Sequence, residues 1–406
     1  MGNAIYIGDN LSVMKSYSFY KTYKNNVDFI YIDPPYNTRN SFSYNDSTNQ
    51  WQNEIAKRLI IARELLKEDG VIFISIDDNE LVALLNSCYT IFGNNNFVGN
   101  FITYQAQRSN AKHINTVHEY IVCFAKNKKQ LNRFFLPRIK EPIQSKKIKS
   151  IIYTVKNANK VSKEKAQILL KKLISDFVLE TGETWIKNYN NIDNNGNIFF
   201  AKDLSTPGKP SSLDIDEIDL HLAPLKTRGW SSKEKILSLY KENRITFKNG
   251  RPYEIEYIEE AVDNVPSILN FYSRYGTNDL KKLGLYGIFD TPKPVELIKY
   301  LIRISEHKNA TILDFYAGSG TTAQAVYEIN KEDNIKHNYV LIQNDEEIRK
   351  GSTSYETMVS LGYSKPKLSD ILFLRVDTFL NKNNFPKDYK IINRKSISEF
   401  PIKKIN

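Results

Sequence analysis

The chain has 406 residues, 41% of them hydrophobic, which suffices for a sizeable core in about two or three domains and excludes a disordered protein. Its 57 Lys and Arg against 46 Asp and Glu give a formal net charge of +11, as a surface facing a polyanion requires. Two cysteines in apolar surroundings (Cys88 and Cys123) and no membrane-length apolar run argue against disulfide, metal and membrane classes and favour the cytoplasm.

Buried parallel strands are predicted where apolar runs end in turn residues. In chain order, these runs cover residues 4–7, 27–32, 71–76, 311–315 and 339–342. Helical patterns lie between or after them, at residues 54–67, 294–305 and 323–329. Strands that alternate with helices predict an α/β sheet covered on both faces, and ligands bind at the carboxyl ends of such strands.

The α/β pattern stops after about residue 126 and resumes near residue 289. Between them lie a lysine-rich stretch of helical character, residues 146–172, and a stretch typical of a loop or hairpin turn, residues 188–197. We therefore expect residues 127–275 to be an insertion or a second domain. Its lysines are typical of a solvated helical surface or of one that contacts phosphates, and the sequence favours neither.

The sharpest motif is residues 27–37, VDFIYIDPPYN, in which a buried strand ends at Asp33, Pro34, Pro35 and Tyr36. The prolines lack N–H groups and hold the chain extended, so Asp33 and the carbonyl of Pro34 form two acceptors on a rigid turn. A simple strand-ending turn is the alternative, because Asp and Pro are common in turns.

Two such acceptors suit the exocyclic amino group of a nucleobase. Its lone pair is delocalised into the ring, and acceptors that each take one N–H favour a pyramidal nitrogen that can attack an electrophilic methyl group. The Tyr36 ring can stack on the base. Stacking is worth about 1–3 kcal/mol and helps to offset the cost of flipping the base out of a duplex.

A second motif covers residues 312–322, ILDFYAGSGTT, and precedes a helical pattern. Gly318 and Gly320 let the backbone turn tightly and approach a ligand, while N–H groups at the helix start suit an anion such as a methionine carboxylate. The spacing differs from that of a phosphate-binding loop, which has Gly-Lys before Ser or Thr. A tight strand-to-helix turn without a ligand is the alternative.

Together these motifs resemble the beta-class amino DNA methyltransferases, and most of all the modification subunits of type III restriction systems and their solitary relatives. In that family the catalytic tetrapeptide precedes the cofactor loop and the target-recognition domain lies between them, which is the order found here. The resemblance covers residues 1–126 and 226–346. It includes further matching segments at residues 8–11, 75–80, 118–120, 125–127 and 289–294.

The resemblance implies an α/β fold with a circularly permuted Rossmann-like sheet that binds S-adenosylmethionine. The implied domains are the catalytic half (1–126), the DNA-binding, target-recognition insertion (127–275), the cofactor-binding half (276–346) and a C-terminal extension (347–406). We expect the extension to pack against the insertion or a partner subunit. The implied activity is methylation of N6 of a flipped adenine in double-stranded DNA, with a homodimer and a restriction subunit as candidate assemblies.

The matching motifs also assign site residues. Asp33, Pro34, Pro35 and Tyr36 would handle the target adenine. The cofactor is assigned to residues of the glycine loop and of the other matching segments: Asp9, Asn10, Lys293, Pro294, Asp314, Phe315, Ala317, Gly318, Ser319, Gly320, Thr321, Thr322, Gln343 and Asp345.

Gln343 departs from the family pattern. Related enzymes often have an acidic residue at this position, which binds the ribose hydroxyls of the cofactor. Gln343 can still form a hydrogen bond, and Asp345 or Glu346 is the candidate for the missing carboxylate.

Cytosine N4 methylation is the main alternative, because that amino group needs the same acceptors, although such relatives more often have Ser in place of Asp33. Cytosine C5 methylation needs a reactive cysteine, usually after a proline, and neither Cys88 nor Cys123 follows one. A non-catalytic DNA-binding subunit and an RNA or protein substrate are further alternatives.

Asp77, Asp78 and Glu80 could be imagined as metal ligands. Asp77 and Glu80 precede an apolar helical run, however, and are more typical of a helix capping box. We therefore expect no metal.

Two other groups are candidates for the base pocket or the DNA contact. His118 would line the pocket or lie hydrogen-bonded in the core. Tyr104, Gln105 and Arg108 follow a strand-like segment and would touch DNA or form a plain surface loop.

Overall fold

The computed structural model describes residues 2–38, 42, 48–105, 113–138 and 142–393. The chain divides into two compact units, Met1–Phe135 with Asn264–Asn406 and, between them in sequence, Leu136–Asp263. We call the first the sheet unit and the second the inserted unit. Arg108, a candidate for a DNA contact, lies outside the described residues.

The described residues form nineteen strands and twelve α-helices. The strands are β1 (Asn3–Ile7), β2 (Val27–Ile32), β3 (Leu66–Ile76), β4 (Phe97–Tyr104), β5 (His118–Ala125), β6 (Phe135–Pro137), β7 (Asn191–Ile192), β8 (Ile198–Asp203), β9 (Ser205–Thr206), β10 (Leu213–Ile215), β11 (Leu220–Leu222), β12 (Gly229–Trp230), β13 (Ile245–Lys248), β14 (Arg251–Tyr257), β15 (Val262–Asn264), β16 (Ile268–Tyr272), β17 (Thr311–Asp314), β18 (Asn338–Gln343) and β19 (Tyr389–Asn393). The helices are α1 (Asn10–Lys15), α2 (Tyr17–Tyr23), α3 (Trp51–Leu65), α4 (Leu81–Phe92), α5 (Pro142–Val161), α6 (Lys163–Thr181), α7 (Lys233–Lys241), α8 (Arg274–Leu283), α9 (Val295–Ile304), α10 (Thr321–Asp333), α11 (Thr353–Ser360) and α12 (Leu368–Lys382).

The sheet unit is built on one sheet with the strand order β16-β4-β5-β3-β2-β17-β18-β1-β19. The five strands expected from apolar runs are confirmed as β1, β2, β3, β17 and β18, and they pair in parallel. Strand β5 is antiparallel to both of its neighbours. The predicted α/β class is therefore confirmed, with a mixed sheet.

The three predicted helices are confirmed as α3, α9 and α10. Helix α3 ends at Leu65, two residues earlier than expected. The reason is that Leu66 has an extended backbone and begins β3 directly. Along the part of the chain that the structure describes, no helix is both long and apolar enough to cross a membrane.

Both faces of the central strands are buried. On β2, Ile30 and Ile32 pack in an apolar cluster with Leu59 of α3. Side chains alternate along a strand, so Phe29 points to the opposite face, where its ring lies 5.2 Å from that of Phe73 on β3. This double burial explains why the strands are continuous apolar runs in the sequence.

Strands β2 and β17 are neighbours at the centre of the sheet, although the inserted unit separates them in sequence. From β2 the chain proceeds to β3 on one side, and from β17 to β18 on the other. The gap between their carboxyl ends is therefore a topological switch point, where open α/β sheets bind ligands. Both motifs of the sequence lie there, since Asp33 follows β2 and Asp314 ends β17.

The residues expected as a C-terminal extension belong to the sheet unit as far as they are described. Strand β19 pairs in parallel with β1, and α12 buries apolar side chains such as Ile371 and Phe379. This differs from the expected packing on the insertion, and packing on a partner subunit stays a prediction. The physical reason is that β19 covers the free edge of β1, while α12 needs an apolar surface for its buried face. Residues 394–406 lie outside the described part.

The inserted unit has a helical hairpin, α5 and α6, packed around an apolar cluster that includes Val155, Leu170 and Ile198. Its main sheet has the antiparallel order β13-β14-β8-β7. The predicted helical character of the lysine-rich stretch is thus confirmed. Of the loop or hairpin turn expected at residues 188–197, the structure has the hairpin, because β7 and β8 pair across residues 193–197.

The inserted unit is shorter than the expected segment 127–275 at both ends. Residues 127–135 belong to the sheet unit, where the ring of Phe134 stacks 5.9 Å from that of Phe73. At the other end, β16 joins the large sheet beside β4. Contacts with the sheet thus keep these flanks in the sheet unit.

Candidate active site

The turn that follows β2 is held by a side chain of α3 and by the side chain of Glu80, which precedes α4. The indole Nε1 of Trp51 donates to the carbonyl of Pro35 at 2.6 Å. Asn37 takes a left-handed backbone with φ of 57°, and its Nδ2 donates to Oε1 of Glu80 at 2.6 Å. The predicted tetrapeptide therefore lies on an anchored turn at the switch point.

Four side chains converge beside this turn. The hydroxyl of Tyr36 donates to Oδ1 of Asp33 at 2.8 Å. The Nζ of Lys293 donates to the Tyr36 hydroxyl at 2.7 Å and to Oε2 of Glu119 at 2.6 Å. The same Nζ lies 3.4 Å from Oδ1 of Asp33. The ammonium group of Lys293 thus lies beside two carboxylates. We call these four residues the aspartate cluster.

The electrostatics of the cluster are set by burial and by its three charges. Burial raises the pKa of Asp33, Lys293 lowers it, and Glu119 raises it further, so the net shift is upward. Burial by itself would lower the pKa of Lys293. The two carboxylates outweigh that effect and raise its pKa, so Lys293 carries a positive charge at neutral pH.

Two oxygens of the turn remain open as acceptors. Among the described residues, neither Oδ2 of Asp33 nor the carbonyl of Pro34 has a hydrogen-bond partner. Pro34 itself is buried and lines a cleft of about 620 Å³. The arrangement can therefore accept two hydrogen bonds from one amino group.

The glycine loop after β17 is closed by Asp314. Its Oδ2 accepts from the Thr322 hydroxyl at 2.6 Å and its Oδ1 from the Tyr316 N–H at 3.0 Å. Burial raises the pKa of Asp314 to about 7, although both hydrogen bonds lower it. Gly318 and Gly320 have φ of 53° and 84°. Glycine adopts this left-handed backbone with little strain, whereas residues with a side chain do not.

A cleft of about 280 Å³, the smaller cleft, lies between the glycine loop and the tetrapeptide turn. Most of the residues assigned to a cofactor line it: Asp9, Asn10, Lys293, Asp314, Phe315, Ala317, Gly318, Ser319, Thr321, Thr322 and Gln343. Asp33 and Pro35 line it too.

Three assigned residues do not line this cleft. Asp345 instead holds Lys367 at 2.6 Å and the hydroxyl of Ser369. Pro294 precedes α9, and Gly320 precedes α10. Of the two carboxylates considered for the ribose, Glu346 lines the cleft and Asp345 does not.

Arg58 of α3 contacts Asp9 and Asn10, and all three residues line one wall of the smaller cleft. Its Nε donates to Oδ1 of Asn10 at 2.6 Å, and its Nη2 lies 3.3 Å from Oδ2 of Asp9. Asn10 in turn donates through Nδ2 to the carbonyl of Phe315 at 2.7 Å. Residues from three distant segments are thereby tied into one wall.

A second cleft, of about 620 Å³, lies on the other side of the aspartate cluster. We call it the larger cleft, and polar side chains dominate its lining: Asp33, Tyr36, Thr38, Asp77, Asp78, Asn79, Gln105, Thr116, His118, Glu119, Ser273, Arg274, Thr277, Asp290, Thr291 and Lys293. His118 lines this cleft, and its Nε2 lies 2.8 Å from the hydroxyl of Tyr120. Asp33 and Lys293 line both clefts.

The expected capping box at Asp77 and Glu80 is wrong. Glu80 is the N-cap residue of α4, and its side chain makes no cap bond. Asp77 instead accepts from the backbone N–H of Asn79 at 3.0 Å, which closes the turn before the helix. In the described ranges, no group of three His, Cys, Asp or Glu is arranged to hold a metal ion.

Sequence reasoning missed Glu119 and Arg58 as parts of the site. Glu119 lies in the partly exposed first part of β5, before the buried apolar residues 121–125, and it reaches the cluster only because β5 lies beside β3. Arg58 lies on α3, where it is typical of a solvated position. A carboxylate directly before a buried apolar run was the available signal for Glu119. Arg58 gave no such signal.

Comparison with known proteins agrees with this geometry. A model of the "DNA methylase" family matches residues 27–354, more than half of the chain. The modification (Mod) subunits of the type III restriction-modification enzymes EcoPI, of Escherichia phage P1, and EcoP15I, of Escherichia coli, are 32% and 31% identical to the chain. These matches cover 95% and 84% of this chain and 63% and 58% of those proteins.

The type II methyltransferase M.KpnI of Klebsiella pneumoniae is 28% identical over 96% of this chain and 89% of its own length. The chain thus spans about three fifths of the two Mod subunits and most of M.KpnI. Because the family model matches both motifs and the intervening segment, the chain belongs to the DNA methylase family.

Proposed function

We propose that the chain is an S-adenosylmethionine-dependent methyltransferase that modifies N6 of adenine in double-stranded DNA. The observation that carries this proposal is the position of Asp33 and Lys293 in the walls of both clefts. A methyl donor in the smaller cleft and a base in the larger cleft would meet at the aspartate cluster. The Mod subunits and M.KpnI support the same reaction class.

The lining of the smaller cleft fits S-adenosylmethionine. The first turn of α10 offers N–H groups without partners inside the helix, and the hydroxyls of Ser319 and Thr321 lie beside them, which suits a carboxylate. A Cβ on Gly318 would lie 3.3 Å from the Phe289 ring, so glycine keeps this part of the cleft open. Glu346 is the acceptor that suits ribose hydroxyls. Bound there, the cofactor supplies an electrophilic methyl group.

In the proposed reaction, Oδ2 of Asp33 and the carbonyl of Pro34 each accept one N–H of the adenine amino group. This directs the nitrogen lone pair away from the ring plane. Tyr36 fixes Asp33 through its hydroxyl and offers its ring for stacking on the base. Lys293 opposes the effect of burial on Asp33 and thereby keeps this carboxylate available as an acceptor.

Methyl transfer from radiolabelled cofactor to duplex DNA tests the proposal. We expect methyl incorporation by the wild type and by the control variant Asp69→Asn. Asp69 lies at the amino end of β3, on the side of the sheet opposite both clefts. Asp33→Ala should abolish methyl incorporation. Equal incorporation by Asp33→Ala and the wild type would refute the role of Asp33. Digestion of the product to nucleosides then decides the base: N4-methylcytosine without N6-methyladenine would replace adenine by cytosine.

For the inserted unit we propose the role of target recognition. Its exposed lysines on α5 and α6 include Lys149, Lys171 and Lys172. If these contact phosphates, replacing all three by Gln should lower the slope of log affinity against log salt by about 0.9 for each lost contact. An unchanged slope would instead identify the lysines as a solvated surface.

Partners of the chain are also proposed from its relatives, two of which are named as subunits of restriction-modification enzymes. We propose a homodimer that associates with a restriction subunit. Light scattering on the purified chain should give twice the mass of 47.0 kDa. A monomer at every concentration would contradict the homodimer.

A further inference from the structure

Arg375 is a fully buried cation beneath the glycine loop. It lies on α12 with none of its surface exposed. Its Nη1 donates to the hydroxyl oxygens of Ser319 at 2.7 Å and of Thr321 at 2.6 Å. Its Nε and Nη2 both donate to Oε1 of Gln324, at 3.3 and 3.1 Å. All three partners lie in the loop or in the first turns of α10.

None of these partners is negatively charged. Within the described chain, no carboxylate lies within salt-bridge distance of Arg375. Burial lowers the pKa of Arg375 to about 10, against the opposing influence of Asp279 and Glu328, so the side chain is protonated at neutral pH. A buried charge without an ionic partner is costly, which indicates that the site is arranged to gain an anion.

The hydrogen-bond chemistry of arginine sets the direction of the two hydroxyls. A guanidinium group only donates, so Ser319 and Thr321 must accept from it. The Thr321 hydroxyl in turn donates a hydrogen bond to the carbonyl of Lys293 at 3.3 Å. The hydroxyl proton of Ser319 has no acceptor among the described residues, and Ser319 lines the smaller cleft. Its O–H is therefore left to donate into that cleft.

Helix α12 is in direct contact with the loop. A Cβ built on Gly320 would lie 3.0 Å from Cγ2 of Val376, the neighbour of Arg375. The backbone of the loop thus rests on α12 at the point where Arg375 enters. This contact explains how the C-terminal part of the chain reaches a site assembled from the two central strands.

We propose that Arg375 is a positioning residue for the carboxylate of bound S-adenosylmethionine. It orients the Ser319 hydroxyl as a donor into the smaller cleft and places a positive charge behind the start of α10. The inference rests on the proposed function. It adds an element from the C-terminal segment to the cofactor site, which the sequence motifs alone do not contain.

Comparing the binding of two ligands distinguishes an effect on the carboxylate contact from a general loss of the cofactor site. S-adenosylmethionine and its decarboxylated form differ at the carboxylate, and titration calorimetry gives a dissociation constant for each. We expect Arg375→Met to weaken the binding of S-adenosylmethionine by about 10- to 100-fold, because the Ser319 hydroxyl loses its orientation and the carboxylate loses a nearby positive charge. Binding of the decarboxylated form should be nearly unchanged. Arg303 is a half-buried arginine paired with Asp333 and Glu332, so Arg303→Met is the control and should change neither constant.

Equal weakening of both ligands by Arg375→Met would overturn the inference, because it indicates a structural role. If that variant does not fold, Ser319→Ala provides the test with Arg375 in place. This variant should weaken the binding of S-adenosylmethionine but not that of the decarboxylated form. Weaker binding of both ligands would contradict the proposal. A wild type that binds both ligands equally would overturn the inference alone, whereas one that binds neither would overturn the proposed function as well.

Discussion

Lys293 donates a 2.6 Å hydrogen bond to Glu119, and these two residues come from opposite sides of the inserted unit in sequence. The pair lies within reach of Asp33, which Lys293 approaches to 3.4 Å. The net charge of the aspartate cluster therefore depends on a contact that neither sequence motif contains. Its effect on the proposed acceptor can be measured through the pH dependence of methyl transfer.

Replacing Lys293 or Glu119 should shift this pH dependence in opposite directions. Lys293 lowers the pKa of Asp33, so Lys293→Met should raise that pKa and move the acidic limb of the rate profile to higher pH. Glu119 raises the same pKa, so Glu119→Gln should move the limb to lower pH. Single-turnover rates between about pH 5 and 9 provide the measurement.

Glu68→Gln is the control for that experiment, since Glu68 lies near the amino end of β3, away from both clefts. Its profile should match that of the wild type. Shifts of the same sign in Lys293→Met and Glu119→Gln would show that Asp33 is not the group that titrates.

Gly276 allows α8 to approach the segment that carries Lys293. A Cβ at this position would lie 1.8 Å from the carbonyl oxygen of Pro292, which is too close for any side chain. Replacing a helical glycine by alanine ordinarily stabilises a protein, but Gly276→Ala should destabilise it by about 1–3 kcal/mol through overpacking. It should also reduce methyl transfer by displacing Lys293.

Denaturant unfolding and transfer rates test this effect together. Gly99→Ala is the comparison, because a Cβ at Gly99 has no heavy atom within 4 Å. That variant should retain the wild-type rate. If Gly276→Ala is as stable and as active as Gly99→Ala, the close contact with Pro292 does not constrain the site.

The ribose contact can be assigned with a pair of neighbouring carboxylates. Glu346 lines the smaller cleft, whereas Asp345 is held by Lys367 and Ser369. We expect Glu346→Gln to weaken cofactor binding by about tenfold, in keeping with the loss of one charged hydrogen bond. Asp345→Asn should leave the affinity unchanged. The reverse order in equilibrium dialysis would return the role to Asp345.

The sequence motifs predicted the parts of the site that are local to one strand end. The tetrapeptide and the glycine loop each follow an apolar run, so their residue types and spacing carry the information. Glu119 could not be placed in the same way. Its position depends on the pairing of β5 with β3, which is a tertiary relationship between distant segments.

The position of Arg375 on α12 is a sequence signal of a buried cation. It falls on the apolar stripe of α12, three residues after Leu372 and four before Phe379, where a surface cation is not expected. The same stripe shows that residues 368–382 need a buried partner surface. A cation in the apolar stripe of an amphipathic helix thus marks a buried charge even when its partner is unknown.

Asp314 should make the stability of the chain depend on pH. Burial raises its pKa to about 7 in the folded protein, above the ordinary value of about 3.9 in an unfolded chain. Between these values the folded state binds more protons than the unfolded state, so the free energy of unfolding should fall as pH rises from about 4 to 7. Above about pH 7 this contribution is constant.

Asp314→Asn removes that titration and should flatten the slope, although it also loses one hydrogen bond from Thr322 or Tyr316. Denaturant unfolding without cofactor at about pH 5, 6, 7 and 8 therefore compares slopes rather than absolute stabilities. Burial lowers the pKa of His337 to about 4, which produces a slope of opposite sign in the same range. Because His337 is present in both proteins, its contribution cancels in the difference. A difference that does not change with pH would mean that Asp314 is ionised throughout in the folded chain.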